Sequence, residues 1–297
     1  MSVKTIICTA GEDRFFPISQ CLLRSVRGQQ QGDIDIGYLN LGLSAGNLEK
    51  LSEYGASVVT PGWDIDFVPP DGDPTKVGDG FKAMTSRPFL RDHFPGYDVY
   101  IWIDADAWVQ NWWAIDWLIE GARRGDLNIA PEMDRAYEHC FDFKAYVRWT
   151  VDQQAQFFGH DVAKRVGYNP VLNCGVFSMP SAHPLWDLWA EKLREALQRH
   201  VGFFADQMSL NHVVYAGDHP RCFLPSQFNW LASMALPAFD PRISQFVEPG
   251  IPHRPLGILH LSGKTKSKPQ SIDVLGRSEK VKTWLLYDPQ RNGTGVS

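Results

Sequence analysis

Asp104 and Asp106 stand at the end of the apolar run Val99-Tyr100-Ile101-Trp102-Ile103. In extended backbone, residues two apart project to the same side, so the two carboxylates would converge on one point. Adjacent anions repel, and a divalent cation that prefers oxygen, such as Mn²⁺ or Mg²⁺, is the natural way to keep both ionised. A strand that simply ends in solvated polar residues is the plainer reading of any Asp-x-Asp. The apolar residues before the pair, Ala105 between them and Ala107-Trp108 after them make a solvated acidic face a poor fit here. The spacing alone leaves several metal chemistries open.

A second group lies near the end of the chain, where His260-Leu-Ser-Gly263-Lys264-Thr-Lys266 follows the apolar segment LGIL. His260 is a candidate third metal ligand, Gly263 a point where backbone can approach a phosphate, and Lys264 and Lys266 are counter-charges. Together these describe a metal-bound diphosphate. Taken singly they read as a hydrogen-bonded imidazole and a solvated basic loop. Asp206-Gln207 opens a helix-like stretch, where Asp206 read alone is an N-cap. Trp186 and Trp189, on one helical stretch, read as core, and His139, His160 and His212 show no ligand spacing.

The elements that must hold these residues begin with strands at 3–9 and 34–41, separated by a helix through Ile18, Cys21, Leu22 and Val26. Ser44 is placed to cap a second helix that stops at Gly55, and a short strand follows at 56–60. Strands alternating with helices predict an α/β fold whose mostly parallel central sheet is flanked by helices. In such sheets ligands gather outside the carboxyl ends of the strands, where Asp104 and Asp106 fall. Residues 61–80 are rich in Pro, Gly and Asp and read as a long loop. Residues 81–94 read as a helix despite Pro88, and 111–125 as a helix against the sheet. Further on, 169–180 reads as a strand, 183–200 and 206–217 as helices, 256–263 as a late strand and 237–255 as a Pro-rich excursion.

With 297 residues, 44% hydrophobic and 21% charged, the chain can bury a full core. A net charge of -5 provides no basic footprint for nucleic acid. The five cysteines are odd in number and mostly set in apolar stretches, as reduced thiols in a reducing compartment would be. No apolar run reaches the roughly 18 residues of a membrane span, and the N-terminus is quickly polar, so a cytoplasmic protein without a transmembrane segment is expected.

Several motifs in order resemble those of the retaining glycosyltransferases of family 8, which include bacterial lipopolysaccharide galactosyl- and glucosyltransferases and glycogenin. WIDADAWV resembles that family's Asp-x-Asp strand end, LNCGVFSM its Asn-x-Gly strand and DQMSLNHVVY its Asp-Gln helix start. LPSQFNW resembles its strand before an Asn-containing loop, and ILHLSGKTK its closing His-x-x-Gly-x-x-Lys. The likeness runs from about Val3 to Lys266, although Ser267-Lys268-Pro269 stands where the family follows its last Lys with Pro-Trp.

The resemblance implies a single GT-A type, Rossmann-like domain over 1–266, with 267–297 expected as an extension carrying a short helix and a frayed tail. It further implies transfer of a hexose from a UDP-sugar, with retention, to a glycan, lipid-linked or protein acceptor. Asp104, Asp106 and His260 would hold Mn²⁺ or Mg²⁺, with Lys266 and the Gly263 backbone on the diphosphate. Asp206, Asn173 and Arg87 would hold sugar hydroxyls, and Gln207 would stand on the reacting face. Gly175 belongs to the Asn-x-Gly strand, and Ala10 and Glu12 would contact the nucleotide. Two other readings are a nucleotide-sugar or glycan binder without turnover, and a phosphatase of the haloacid-dehalogenase type. The phosphatase would leave the group from His260 to Lys266 without a task.

Overall fold

The structure, a computed structural model, describes residues 3–68 and 77–289. The chain opens as expected: β1 (Thr5–Gly11), α1 (Phe16–Gln29), β2 (Ile34–Asn40), α2 (Ala45–Ser52) and β3 (Ala56–Val59), with each neighbouring strand pair parallel. All seven residues of β1 are buried, as a strand covered by helices on both faces requires. Ser44 occupies the N-cap of α2, but Asp13 does the capping. Its Oδ1 accepts from the Ser44 backbone N–H and from Asn47 Nδ2, both at 2.7 Å.

Residues 61–68 carry no regular element, and residues 69–76 of the expected loop lie outside the described residues. The single helix expected over 81–94 is instead two short ones, α3 (Lys82–Ser86) and α4 (Leu90–His93), joined by a 3-10 turn at Arg87–Phe89. Pro88 is the reason, since it donates no N–H and its ring clashes with the carbonyl four residues back.

Next come β4 (Val99–Ile103), β5 (Ala107–Val109), α5 (Trp113–Arg123), β6 (Leu127–Pro131), α6 (Phe143–Phe158), α7 (His160–Val166), β7 (Leu172–Pro180), α8 (Leu185–Arg199) and α9 (Ala205–Ala216). Short strands follow: β8 (Arg221–Phe223), β9 (Trp230–Leu231), β10 (Ala238–Asp240), β11 (Gln245–Val247), β12 (Ile258–His260), β13 (Gln270–Ile272) and β14 (Val281–Thr283). The central sheet runs β3-β2-β1-β4-β7-β6-β8 and is parallel except for β7, which is antiparallel to both neighbours.

Alternation along β4 divides the core between the two faces of this sheet. Tyr100 and Trp102 enter one layer with Phe177, Trp186 and Trp189, while Ile101 and Ile103 enter the other with Ile7, Ile115 and Leu118. Trp186 and Trp189 are fully buried against Phe177, as the helical spacing predicts.

A small second sheet, β5-β12-β9, positions the site. β12 runs antiparallel to β5 with His260 opposite Ala107, and parallel to β9 with His260 opposite Leu231. The Pro-rich excursion contains the antiparallel pair β10 and β11. In place of the short helix expected after residue 266, the described residues form the antiparallel pair β13 and β14. This segment joins the core around Trp108, whose Nε1 donates to the Leu285 carbonyl at 2.8 Å. Residues 290–297 of the expected tail lie outside the described residues. The five cysteines form no disulfide, and no described helix is long and apolar enough to cross a membrane.

Candidate functional site

Asp104 is the first residue after β4. Its N–H bonds to the Gly175 carbonyl at 2.8 Å, and its own carbonyl accepts from the Ala107 N–H at 2.9 Å. Asp104 to Ala107 is therefore a turn rather than the extended backbone expected, and the turn is what makes the carboxylates converge. The Leu261 N–H, bonded to the Asp106 carbonyl at 2.8 Å, ties the chain beyond β12 to the same turn.

Each carboxylate has one oxygen engaged and one turned to a common point. Asp104 Oδ1 accepts from Trp102 Nε1 at 2.7 Å and from Arg87 at 2.5 Å. Asp106 Oδ2 accepts from Lys266 Nζ at 2.6 Å. The other oxygens face His260, whose Nε2 lies 3.1 Å from Asp106 Oδ1 and 3.8 Å from Asp104 Oδ2. One ligand atom from each of the three residues falls within 4.8 Å of the others. Two carboxylate oxygens and one imidazole nitrogen suit Mn²⁺ or Mg²⁺ chemically. Gly175 leaves room beside them, since a Cβ there would stand 2.5 Å from His260 Cε1 and 2.9 Å from Asp104 Oδ2.

Burial opposes ionisation of Asp106, but the His260 ring and Lys266 outweigh it and hold the carboxyl well below its usual range. Burial likewise opposes charging His260, and the two aspartates, Asp106 most, raise its pKa nonetheless.

Behind this group lies Arg87, buried in the turn that Pro88 imposes and stacked 5.0 Å over the Trp102 ring. It bridges Asp104 and Asp206. Phe204, not Asp206, holds the N-cap position of α9, and the Asp206 carboxylate accepts from Arg87 and from the Gln207 N–H in the first turn. Burial raises the Asp206 pKa against the pull of Arg87.

Gln207 is buried, its Oε1 accepting from the Cys174 N–H at 3.2 Å and its Nε2 donating to Glu132 at 3.4 Å. Asn173 donates to the same Glu132 oxygen at 2.7 Å and accepts from the Gly175 N–H at 2.9 Å. Asn229 donates to Asn173 Oδ1 at 2.8 Å and faces His260 Nδ1 through its oxygen at 2.9 Å. Burial pushes the Glu132 carboxyl up to about 7.

Asp104, Asp106, His260, Lys266, Arg87, Asp206, Gln207, Asn173 and Gly175 thus form one connected group. Ala10 is buried near the end of β1, which runs beside β4 with Cys8 opposite Trp102, and the Glu12 carboxylate pairs with exposed Arg14. Lys266 Nζ reaches toward that loop, 5.3 Å from the ring of Phe15. Gly263, at φ 62°, starts the 3-10 turn carrying Lys266, and Lys264 is exposed. Glu132 and Asn229 are the site residues that sequence reasoning missed. Asn229 lay in a motif already singled out, whereas Glu132 follows a strand, β6, in a stretch where the sequence assigned no element.

No family model matches the sequence, and no curated protein matches it. Solved structures do. The apo structure of the bifunctional glycosyltransferase WbbM aligns at TM-score 0.57 and 12% identity over 89% of this chain, which spans 46% of that protein. The galactosyltransferase LgtC, in complex with donor and acceptor sugar analogs, aligns at TM-score 0.53 and 14% identity over 88% of both chains. Mouse xyloside xylosyltransferase 1, in its apo form, aligns at TM-score 0.51 and 12% identity over 88% of this chain and 97% of that one. The shared feature is the fold: a GT-A type α/β domain with a mostly parallel central sheet flanked by helices.

Proposed function

We propose that this protein transfers a hexose from a UDP-sugar, with metal dependence and retention of configuration, to a glycan, lipid-linked or protein acceptor. The observation that carries the reading is the convergence of Asp104 Oδ2, Asp106 Oδ1 and His260 Nε2 at the end of β4, with Lys266 and the Arg87–Asp206 pair at its edges. When bound, Mn²⁺ or Mg²⁺ supplies a Lewis acid that neutralises the charge growing on the leaving UDP.

The protein's own residues orient and balance charge. Lys266, with the Gly263 backbone beside it in the turn, adds positive charge on the diphosphate. Arg87, Asp206 and Asn173 hold sugar hydroxyls, fixing an orientation that an alkyl side chain cannot. Gln207 spends one lone pair of its amide oxygen on the Cys174 N–H. The other remains for the positive charge that develops on the sugar in an oxocarbenium-like state. Ala10 and Glu12 meet the nucleoside.

A thermal-shift screen of UDP, GDP and their sugars, with and without Mn²⁺, tests the reading. UDP-sugars should stabilise the protein only with the metal, and slow metal-dependent release of UDP should follow. Binding without turnover for any acceptor or water would leave a nucleotide-sugar binder, and metal-independent, vanadate-sensitive release of phosphate would leave a phosphatase.

A further inference from the structure

We propose that Asn229 is a positioning residue that fixes the tautomer of His260, keeping the proton on Nδ1 and the Nε2 lone pair free for a cation. The proposal rests on the metal-binding part of the reading above. Its support is a chain of hydrogen bonds in which every direction is determined. Two consecutive backbone N–H groups in β7 start it, since an N–H can only donate. The Gly175 N–H fixes the Asn173 oxygen at 2.9 Å, and the Cys174 N–H fixes the Gln207 oxygen at 3.2 Å.

Both amide nitrogens must then point away from β7, and both donate to one oxygen of Glu132, at 2.7 and 3.4 Å. That oxygen accepts whether or not the other carries a proton, so the direction holds in either state of the carboxyl. With the Asn173 oxygen fixed, Asn229 must turn its nitrogen to it, at 2.8 Å, and its oxygen to the imidazole, at 2.9 Å. An oxygen facing Nδ1 demands a proton there.

Asn229 works against a real competitor. Asp106 Oδ1 lies 3.1 Å from Nε2 and attracts a proton to the nitrogen a cation would use. If the neutral ring placed its proton on Nε2, the lone pair of Nδ1 would face the oxygen of Asn229. Reversing Asn229 would set two amide oxygens against each other in a site where Asn229, Glu132 and Gln207 are all buried. Partners of this kind behind a metal-bound histidine typically change metal affinity ~10–100-fold when removed.

Nitrogen NMR of the imidazoles in the metal-free full chain, at a pH alkaline enough to leave His260 neutral, tests the proposal. The His260 signals are assigned by their loss in His260→Gln. The wild-type ring should carry its proton on Nδ1, and Asn229→Ala should move it to Nε2 and weaken binding of Mn²⁺ alone by ~10–100-fold. Glu132→Gln, whose amide oxygen accepts in the same place, should preserve both the tautomer and the Mn²⁺ affinity. A wild-type proton on Nε2 would overturn the proposal, as would an Asn229→Ala protein with unchanged tautomer and Mn²⁺ affinity. If Asn229→Ala does not fold, the wild-type spectrum decides alone. A wild-type ring protonated on Nδ1 in a protein that binds no Mn²⁺ would support the amide chain and sink the metal-dependent function instead.

Discussion

Lys266 reaches across 160 positions of sequence to donate a 2.6 Å hydrogen bond to Asp106. Arg87, 17 positions before Asp104, donates to it at 2.5 Å. Each carboxylate at the end of an apolar strand therefore has its own cation, which is how the protein tolerates two neighbouring acids there before any ligand arrives. Both cations occupy the oxygen turned away from the shared point, so neither need move for a metal to enter.

Asp106→Asn removes one ligand oxygen's charge while leaving a polar group for Lys266. Mn²⁺ affinity and UDP-sugar turnover should fall by more than the ~10–100-fold seen for residues behind the ligands, with an unchanged circular dichroism spectrum. Wild-type turnover in this variant in the presence of excess chelator would refute the metal role.

Gly175→Ala tests the space beside the ligands. The added methyl would meet His260 Cε1 at 2.5 Å, Asn173 Oδ1 at 2.7 Å and Asp104 Oδ2 at 2.9 Å, so at least two site residues must move. Overpacking of this kind costs about 1–3 kcal/mol, and a Mn²⁺ titration should show affinity lost out of proportion to the small drop in melting temperature. Unaltered Mn²⁺ affinity would mean the site has slack that the structure does not contain.

Glu132 gives a pH signature. Its folded pKa is about 7, above the ordinary value of 4.5, so folded protein holds a proton that unfolded chain has already released. Stability from this carboxyl is complete below about pH 4.5 and is lost as pH rises to about 7, after which it levels. The difference amounts to at most about 3 kcal/mol at 1.36 kcal/mol per pH unit. Glu132→Gln mimics the protonated form, so denaturant melts should show it gaining on wild type from pH 5 to pH 8. Parallel stability curves would show that the carboxyl is not proton-loaded in the folded state.

Gln207→Ala should slow transfer more than it weakens UDP binding, because the side chain meets the sugar rather than the nucleotide in the proposed function. It also leaves the buried Cys174 N–H without its acceptor, at about 1–3 kcal/mol of stability. Calorimetry with UDP beside steady-state rates separates the two effects, and equal losses in binding and rate would reduce Gln207 to a donor contact.

The opening β-α-β-α-β run was legible because β1 and most of β2 are apolar strands buried in the sheet, and because Gly55 punctuates the end of α2. The acids, His260 and Lys266 were legible because an apolar strand precedes each group. α6 was not. Its buried face includes Thr150 and Gln154, the latter bonded through its amide to the Met208 carbonyl, and such polar core residues blur a helical period. The three-residue strands β10, β11, β13 and β14 were hidden for another reason: nothing so short has a readable alternation, and their pairing depends on partners the local pattern does not name. The turn at Asp104–Ala107 likewise follows from the Gly175 carbonyl and β12, both distant in sequence.

The pairing of β5 with β12 has a consequence for biogenesis. A chain emerging from the ribosome exposes both candidate acidic ligands early, yet the imidazole arrives on a strand just over 150 positions later. Contacts of such long sequence separation form late. The proposed cation centre is therefore complete only once β12 has been made, and a nascent or prematurely terminated product ending just before β12 possesses every strand of the central sheet but lacks the imidazole of that centre.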